Sequence, residues 1–447
     1  MKTPICDFVK KYAQDKALRL HMPGHKGKPF IGAEHLDITE IAGADSLYEA
    51  SGIIAESEKN ASELFGCPTF YSTEGSSQCI RAMLYLAQLF AREKGRNGTV
   101  LAARNAHKTF HSAAALLDID VEWLYGHTDS YLSCDIEADD VEQYFKNAEI
   151  TPCALYITSP DYLGNIADIK KISAVCRKYG ALLLVDNAHG AYLKFLQRSE
   201  HPIDLGADIC CDSAHKTLPV LTGGAYLHIS KSLFDELGYA VKDALSLFGS
   251  TSPSYLILQS LDAVNTYLEY HRERLEDFIN KVNDLKNTLV NGGYSLYGDE
   301  ALKITVQAKK YGYYGTEFAE ILFKNGIVCE FSDRDFTVLM LTPENSEKEL
   351  IRLKEVMLSI PQREEISESM PSFSKKLRAV SIREAALSPF ETVSVTDAIG
   401  RVSSVSVVGC PPAVPITVSG EIIDENAAEC FKYYGINTCK VIKRGAE

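Results

Sequence analysis

The sequence predicts an α/β protein in which a large domain, a mostly parallel sheet flanked by helices, precedes smaller C-terminal α/β domains. Three observations carry this prediction. Short apolar, β-rich runs are each followed by a polar turn and then a helical pattern. The chain has 447 residues, more than the roughly 250–300 that one hydrophobic core accommodates. From residue 255 the pattern turns helical and highly charged (YLEYHRERLEDFINKVNDLKNTL), as expected of a helix leaving one core for another.

The predicted strands of the large domain are 68–72, 99–103, 153–158, 182–186, 209–212 and 224–229, with a helix at 169–179 that stops at Gly180. A long helix is expected over 255–291. A smaller α/β unit follows, with strands at 302–306 and 337–341 around a helix at 316–324. The polar stretch PQREEISESMPSFSKK (361–376) reads as a linker. The resulting domains are 1–275, an N-terminal arm and ligand-binding large domain; 276–365, a small α/β domain; and 366–447, a C-terminal domain.

Composition narrows the function. Hydrophobic residues make up 46% and charged residues 24%, and no run approaches the ~18 consecutive apolar residues of a membrane span. The formal net charge of −14 argues against nucleic acid as a partner, because phosphate backbones are held by excess Lys and Arg. The same field modestly favours cationic substrates. Twelve cysteines occur without a CxxC pair or a Cys/His cluster at zinc spacing, so no metal site is expected. Cys210 and Cys211, side by side in an apolar run, read as buried thiols. The N-terminus mixes charges throughout and lacks the apolar centre of an export signal, so a cytoplasmic location is expected.

The chemistry is carried by LLLVDNAHG (182–190) and DICCDSAHKT (208–217), each of which sets polar residues directly after an apolar strand. In parallel α/β sheets the C-terminal strand ends line the ligand crevice, so Asp186, His189, Ser213, His215 and Lys216 can converge there. An acid and a lysine brought together suit pyridoxal 5'-phosphate (PLP). The lysine amine forms a Schiff base with its aldehyde, and the carboxylate keeps the pyridine nitrogen protonated so that the ring accepts electrons.

A phosphate site is supplied by TFYSTEGSSQCIRAMLYLAQLFAREK, a strand, a Glu74-Gly75-Ser76-Ser77 turn and a long amphipathic helix. Backbone N–H groups at a helix N-terminus bind anions, and the serine hydroxyls add hydrogen bonds. Most such turns merely cap helices, and this one gains weight from its partners. In RNAHKTFHSA (104–113), His107 is placed to stack on the cofactor ring, whereas His111 reads as a surface or hydrogen-bonded core residue. LHMPGHKGKPF (20–30) forms a Pro/Gly turn whose His21, His25 and Lys26 can approach a ligand; an ordinary surface loop is the plainer reading.

Taken together, these motifs resemble the Orn/Lys/Arg decarboxylase family of fold-type-I PLP enzymes. The likeness runs through LHMPGHKG, DITEIAGADSLYEASGII, FYSTEGSSQ, ARNAHKT, SPDYLGNIADI, LLVDNAHGA, DSAHKTLPVLTGGAYLH, TSPSYLILQSLD and REAALSP…CPPAVPITVSGE. The resemblance implies a fold-type-I PLP-dependent transferase fold and decarboxylation of a basic amino acid (arginine, lysine or ornithine) to its amine, with polyamine synthesis as the purpose and acid resistance as a second option. By the same resemblance Lys216 carries the cofactor, Asp186 faces the pyridine nitrogen, and Ser76, Ser77, Ser213 and His215 bind the phosphate. His107 stacks on the ring and His189 sits beside the cofactor. Thr251 or Ser252 reaches the phosphate of a neighbouring protomer, so a homodimer with shared active sites follows. Glu421 is a candidate for the substrate's distal cation, with a solvated loop glutamate as the alternative, and His25 is a further substrate candidate.

The sequence also departs from the family pattern. Glu74 stands where Asn is usual, and its charge should point away from a phosphate. The Tyr-Pro-Pro-Gly turn reads Cys410-Pro411-Pro412-Ala413, and alanine takes positive φ less cheaply than glycine. The sequence begins at the cofactor-domain arm, without the receiver-like wing domain of longer members, so wing-mediated decamers are not expected. Two rivals remain: an aminotransferase or carbon-carbon lyase of the same fold, with Arg334 and Arg378 as carboxylate clamps, and a non-catalytic regulator.

Overall fold

The structure is a computed structural model that describes residues 1–128, 130–408 and 413–445. The core strands, in chain order, are β1 (Thr69–Ser72), β2 (Val100–Ala103), β3 (Val121–Leu124), β4 (Ala154–Thr158), β5 (Leu182–Asp186), β6 (Ile209–Asp212) and β7 (Ala225–Ile229). The chain divides into two compact units, Met1–Arg96 with Cys176–Glu276, and Asn97–Val175 with Asp277–Glu447.

In the first unit β5 and β6 run parallel, with Leu184 opposite Ile209 and Asp186 opposite Cys211. β7 is antiparallel to β6, and β1 to β7. In the second unit β2 pairs in parallel with both β3 and β4. Parallel pairing thus dominates the core, and the expected mixed α/β class is observed. LLLVD and ICCD are buried at every position, which is why these strands read as unbroken apolar runs rather than alternating ones. Each ends in an aspartate, where the chain leaves the strand.

The helix Ile169–Tyr179 occupies its expected place. The single helix expected over 255–291 is two, Tyr255–Glu269 and His271–Asn291, broken at the exposed Tyr270. No glycine or proline marks that break, so the charged periodicity runs straight across it. β3 was not expected, because VEWL places Glu122 inside a four-residue run and blunts the apolar signal.

The second unit holds a further antiparallel sheet of β8 (Leu296–Tyr297), β9 (Lys303–Gln307), β10 (Phe331–Ser332) and β11 (Phe336–Met340), in the order β10-β11-β9-β8. Residues 361–376 form neither helix nor strand. Beyond them β12 (Phe390–Ser394) pairs with β15 (Thr438–Ile442), and β13 (Val407–Val408) with β14 (Pro415–Thr417), all antiparallel. Phe331, Phe336 and Val338 share one apolar core with Ile416, Phe431 and Val441. No helix among the described residues is long and apolar enough to cross a membrane.

Candidate active site

The site in the first unit is built from strand ends. β5 delivers Asp186, 2% exposed, and the turn after it carries Asn187 and His189, both buried. β6 delivers Asp212 and then a one-turn helix, Ala214–Thr217, that carries His215 and Lys216. The two turns meet where Lys216 Nζ lies 2.9 Å from His189 Nε2. His189 follows Asp186 by three residues on the turn that leaves β5, so the lysine turn reaches the turn that begins at Asp186.

Asp186 Oδ1 accepts the Ala188 N–H at 3.3 Å and the Cys211 thiol at 3.7 Å. Burial, and then the neighbouring Asp186 charge, push the Cys211 thiol well above its ordinary range. It is therefore a neutral, inert donor rather than a nucleophile.

The turn expected to bind a phosphate takes shape from Gly75, whose φ of +71° is a left-handed value that residues with a Cβ adopt at a cost. Its N–H donates to Gly223 O at 2.7 Å, which fixes the start of the helix Gly75–Glu93. Ser213 Oγ donates to Ser76 Oγ at 2.8 Å, so hydroxyls from the lysine turn and the helix N-terminus stand together, and Ser77 follows on the same turn. His215 Nδ1 lies 3.0 Å from Gly224 O, placing its proton on that nitrogen. Glu74 caps the helix with no hydrogen bond to it; its Oε1 accepts the Ser250 N–H at 2.5 Å. Its charge is thereby tied to the loop that carries the exposed Thr251 and Ser252.

His25 has its Nε2 3.1 Å from Asp37 Oδ2. His21 bonds the Tyr12 hydroxyl at 2.6 Å, and Lys26 Nζ donates to His21 O at 2.5 Å. These contacts are local to the arm.

The remaining expected residues belong to the second unit. His107 caps the helix Lys108–Leu117, and its Nδ1 accepts the Thr109 N–H at 3.2 Å. His111 is a core residue, 2% exposed, with Nε2 3.2 Å from Ala106 O. Glu421 is not a solvated loop glutamate: it is 2% exposed, and its Oε2 pairs with Arg104 at 3.0 Å. Its Oε1 has no hydrogen-bond partner among the described residues. Ala413 adopts φ +60°, so the alanine occupies the left-handed conformation that a glycine would take freely; Cys410, Pro411 and Pro412 lie outside the described residues. Arg334 is held by both oxygens of Glu368, at 2.8 and 3.0 Å, and Arg378 by Asp120 at 2.9 Å.

Sequence reasoning missed Asn187, His201, Asp212 and His228, which form a buried hydrogen-bonded group behind the lysine turn. Asn187 and Asp212 lie inside the two central motifs, but nothing in a linear reading says that their side chains meet.

Comparison with known proteins identifies the family of the chain. Residues 3–305 match the Orn/Lys/Arg decarboxylase major domain, and residues 363–439 match the Orn/Lys/Arg decarboxylase C-terminal domain. The arginine decarboxylase of Bacillus subtilis (strain 168) is 28% identical over 96% of this chain and 93% of its own length. That of Halalkalibacterium halodurans is 27% identical over 95% and 92%. The solved lysine decarboxylase of Francisella novicida has the same fold, with a TM-score of 0.80 at 16% identity, covering 99% of this chain and 81% of that one.

Proposed function

The chain belongs to the Orn/Lys/Arg decarboxylase family and is a decarboxylase, and we propose that it removes carbon dioxide from arginine or lysine using PLP held on Lys216. The observation that carries this reading is the 2.9 Å contact between Lys216 Nζ and His189 Nε2, formed where the strand bearing Asp186 ends.

The donor set fits the cofactor. Lys216 offers the amine for the aldehyde, Asp186 a buried carboxylate for the pyridine nitrogen, and Ser76 with Ser213 paired hydroxyls at a helix N-terminus for the phosphate. His107, Ser77, His215 and the exposed Thr251 and Ser252 complete the proposed set. When bound, PLP supplies a ring that takes up the electrons left when the carboxylate departs as carbon dioxide.

The protein's own groups manage the proton that must return to the substrate carbon. Lys216 and His189, within hydrogen-bond distance, form a pair that can hold this proton and deliver it. Glu421 Oε1, without a partner among the described residues, is our candidate acceptor for the substrate's distal cation. An aminotransferase clamps the substrate carboxylate with arginine, but Arg334 and Arg378 are already committed to Glu368 and Asp120, so nothing favours that rival.

The assembly we propose is a homodimer. Leu18, Leu20, Phe30 and Ile31 of the arm are each at least 80% exposed, apolar surface that a second copy would cover. The cysteines among the described residues are all free, which supports a reducing, cytoplasmic setting. Polyamine synthesis is the role we assign.

The test is carbon dioxide and amine release from arginine, lysine and ornithine, each supplied separately to the PLP-loaded protein. Release of carbon dioxide with stoichiometric agmatine or diamine is expected, and Lys216→Ala should lose both release and the visible cofactor absorbance. Keto-acid formation without carbon dioxide would overturn the reading.

A further inference from the structure

Behind the lysine turn lies a buried polar group that the reaction above leaves unused. Asp212, at the end of β6, is 0% exposed, and its Oδ1 accepts from Asn187 Nδ2 at 2.7 Å. Its Oδ2 takes the Nε2 protons of His201 and His228, each at 3.1 Å. His228 Nδ1 lies 2.9 Å from the Thr69 hydroxyl, which itself donates to Cys67 O at 3.1 Å. Burial alone would raise the Asp212 carboxyl, but the two imidazoles outweigh it and hold the group ionised.

Asn187 links this carboxylate to the site. It stands between Asp186 and His189; its N–H donates to Cys211 O at 3.0 Å, and its carbonyl accepts the Gly190 N–H at 2.8 Å. A Cβ on Gly190 would come within 2.0 Å of Asn187 Oδ1, so the turn leaves room for the Asn187 amide only because residue 190 is glycine. Asp212 itself lies four residues before Lys216, on the strand that launches the lysine turn.

We propose that Asp212 is a positioning residue: gripping Asn187 from the tip of β6, it holds the 187–190 turn so that His189 stays at hydrogen-bond distance from Lys216. This rests on the reading of Lys216 and His189 as the working pair. The same cluster admits one competing explanation, because His201, Cys210 and Asp212 bring donor atoms within 4.8 Å of one another, a spacing that zinc also accepts.

The test uses the cofactor-free protein, with the rate at which acetic anhydride acylates Lys216 followed against pH by peptide mass spectrometry. Asn187→Ala cuts the link and leaves the Asp212–imidazole contacts intact. It should still unfold cooperatively, at a thermal transition lowered by the loss of one buried hydrogen bond, while moving the Lys216 profile by about half a pH unit or more. Asp212→Asn removes the charge that Asn187 and the two imidazoles share and should move the profile similarly. The exchange Asn187→Asp with Asp212→Asn restores a donor–acceptor pair across the turns and should return the profile toward wild type.

An unchanged profile in folded Asn187→Ala overturns the proposal, as does failure of the exchange to restore it. Stoichiometric zinc in the purified protein would replace the hydrogen-bond account with a metal site. If Asp212→Asn does not fold, Asn187→Ala decides alone. A second readout, PLP uptake, separates this idea from the functional reading: absence of uptake by wild type defeats the latter, whereas the acylation profile still judges the former.

Discussion

Arg104 and Glu421, 317 positions apart in the chain, form an ion pair at 3.0 Å with side chains only 2% and 3% exposed. Arg104 also donates to Pro415 O at 2.9 Å and Ile416 O at 3.1 Å, and its guanidinium lies 5.4 Å from the Trp123 ring centroid and 5.2 Å from that of Phe373. Glu421 Oε2 in turn accepts the Val418 N–H at 2.7 Å. Such a pair stabilises little relative to apolar packing, yet losing one member strands the other's charge. Arg104→Met should therefore destabilise the protein by about 3–5 kcal/mol, read from urea unfolding at pH 7. A loss below about 1 kcal/mol would mean that Glu421 finds water or another partner.

The Lys216–His189 contact predicts a kinetic effect. His189→Asn removes the ring nitrogen that faces the lysine amine while leaving Asn187 and Gly190 to shape the turn. Turnover should fall about 10²-fold or more, the usual range for a positioned proton-transfer group, with PLP absorbance retained. Measuring carbon dioxide release in parallel with cofactor content checks this. Equal loss of both would mark His189 as a cofactor-holding residue instead.

Ala413 predicts a gain. With φ at +60°, its Cβ crowds the following carbonyl at a cost of roughly 1–2 kcal/mol, and part of any relief is returned because glycine loosens the unfolded chain. Ala413→Gly should thus raise stability by about 0.5–1 kcal/mol, while Ala413→Val should lower it. The Ala413 carbonyl accepts the Lys108 N–H at 2.8 Å, next to the His107 cap, so the glycine variant also asks whether that strain matters for activity.

How much of this was legible in sequence follows from where the information lies. β5 and β6 announced themselves because strands buried on both faces must be apolar throughout, and the polar residues at their ends then stand out as Asp186, His189, Ser213 and Lys216. The break at Tyr270 and the two-residue strands β8 and β10 left no such trace, since their patterns are too short or too even. Glu421 was legible as a motif residue, but its burial against Arg104 depends on a contact between remote segments. The Asp212 group was invisible for the same reason: His201, Asp212 and His228 are 11 and 16 residues apart and match no spacing rule.

His111 predicts how stability responds to acid. Burial, aided by the nearby Arg104 charge, lowers its pKa from 6.5 to about 3, so the folded protein keeps the imidazole neutral where the unfolded chain protonates it. Between those two values the unfolded state binds more protons, and stability must fall as pH drops below about 6.5. The contribution is nearly absent at pH 7 and reaches about 2 kcal/mol by pH 5. In the folded state Nε2 donates to Ala106 O at 3.2 Å, and the ring packs 5.1 Å from Trp123. His111→Gln keeps a donor for that carbonyl but cannot titrate. Urea unfolding at pH 7 and pH 5 should show a smaller acid loss in the variant than in wild type, by about 1–2 kcal/mol. Identical losses would show that another group takes up the proton.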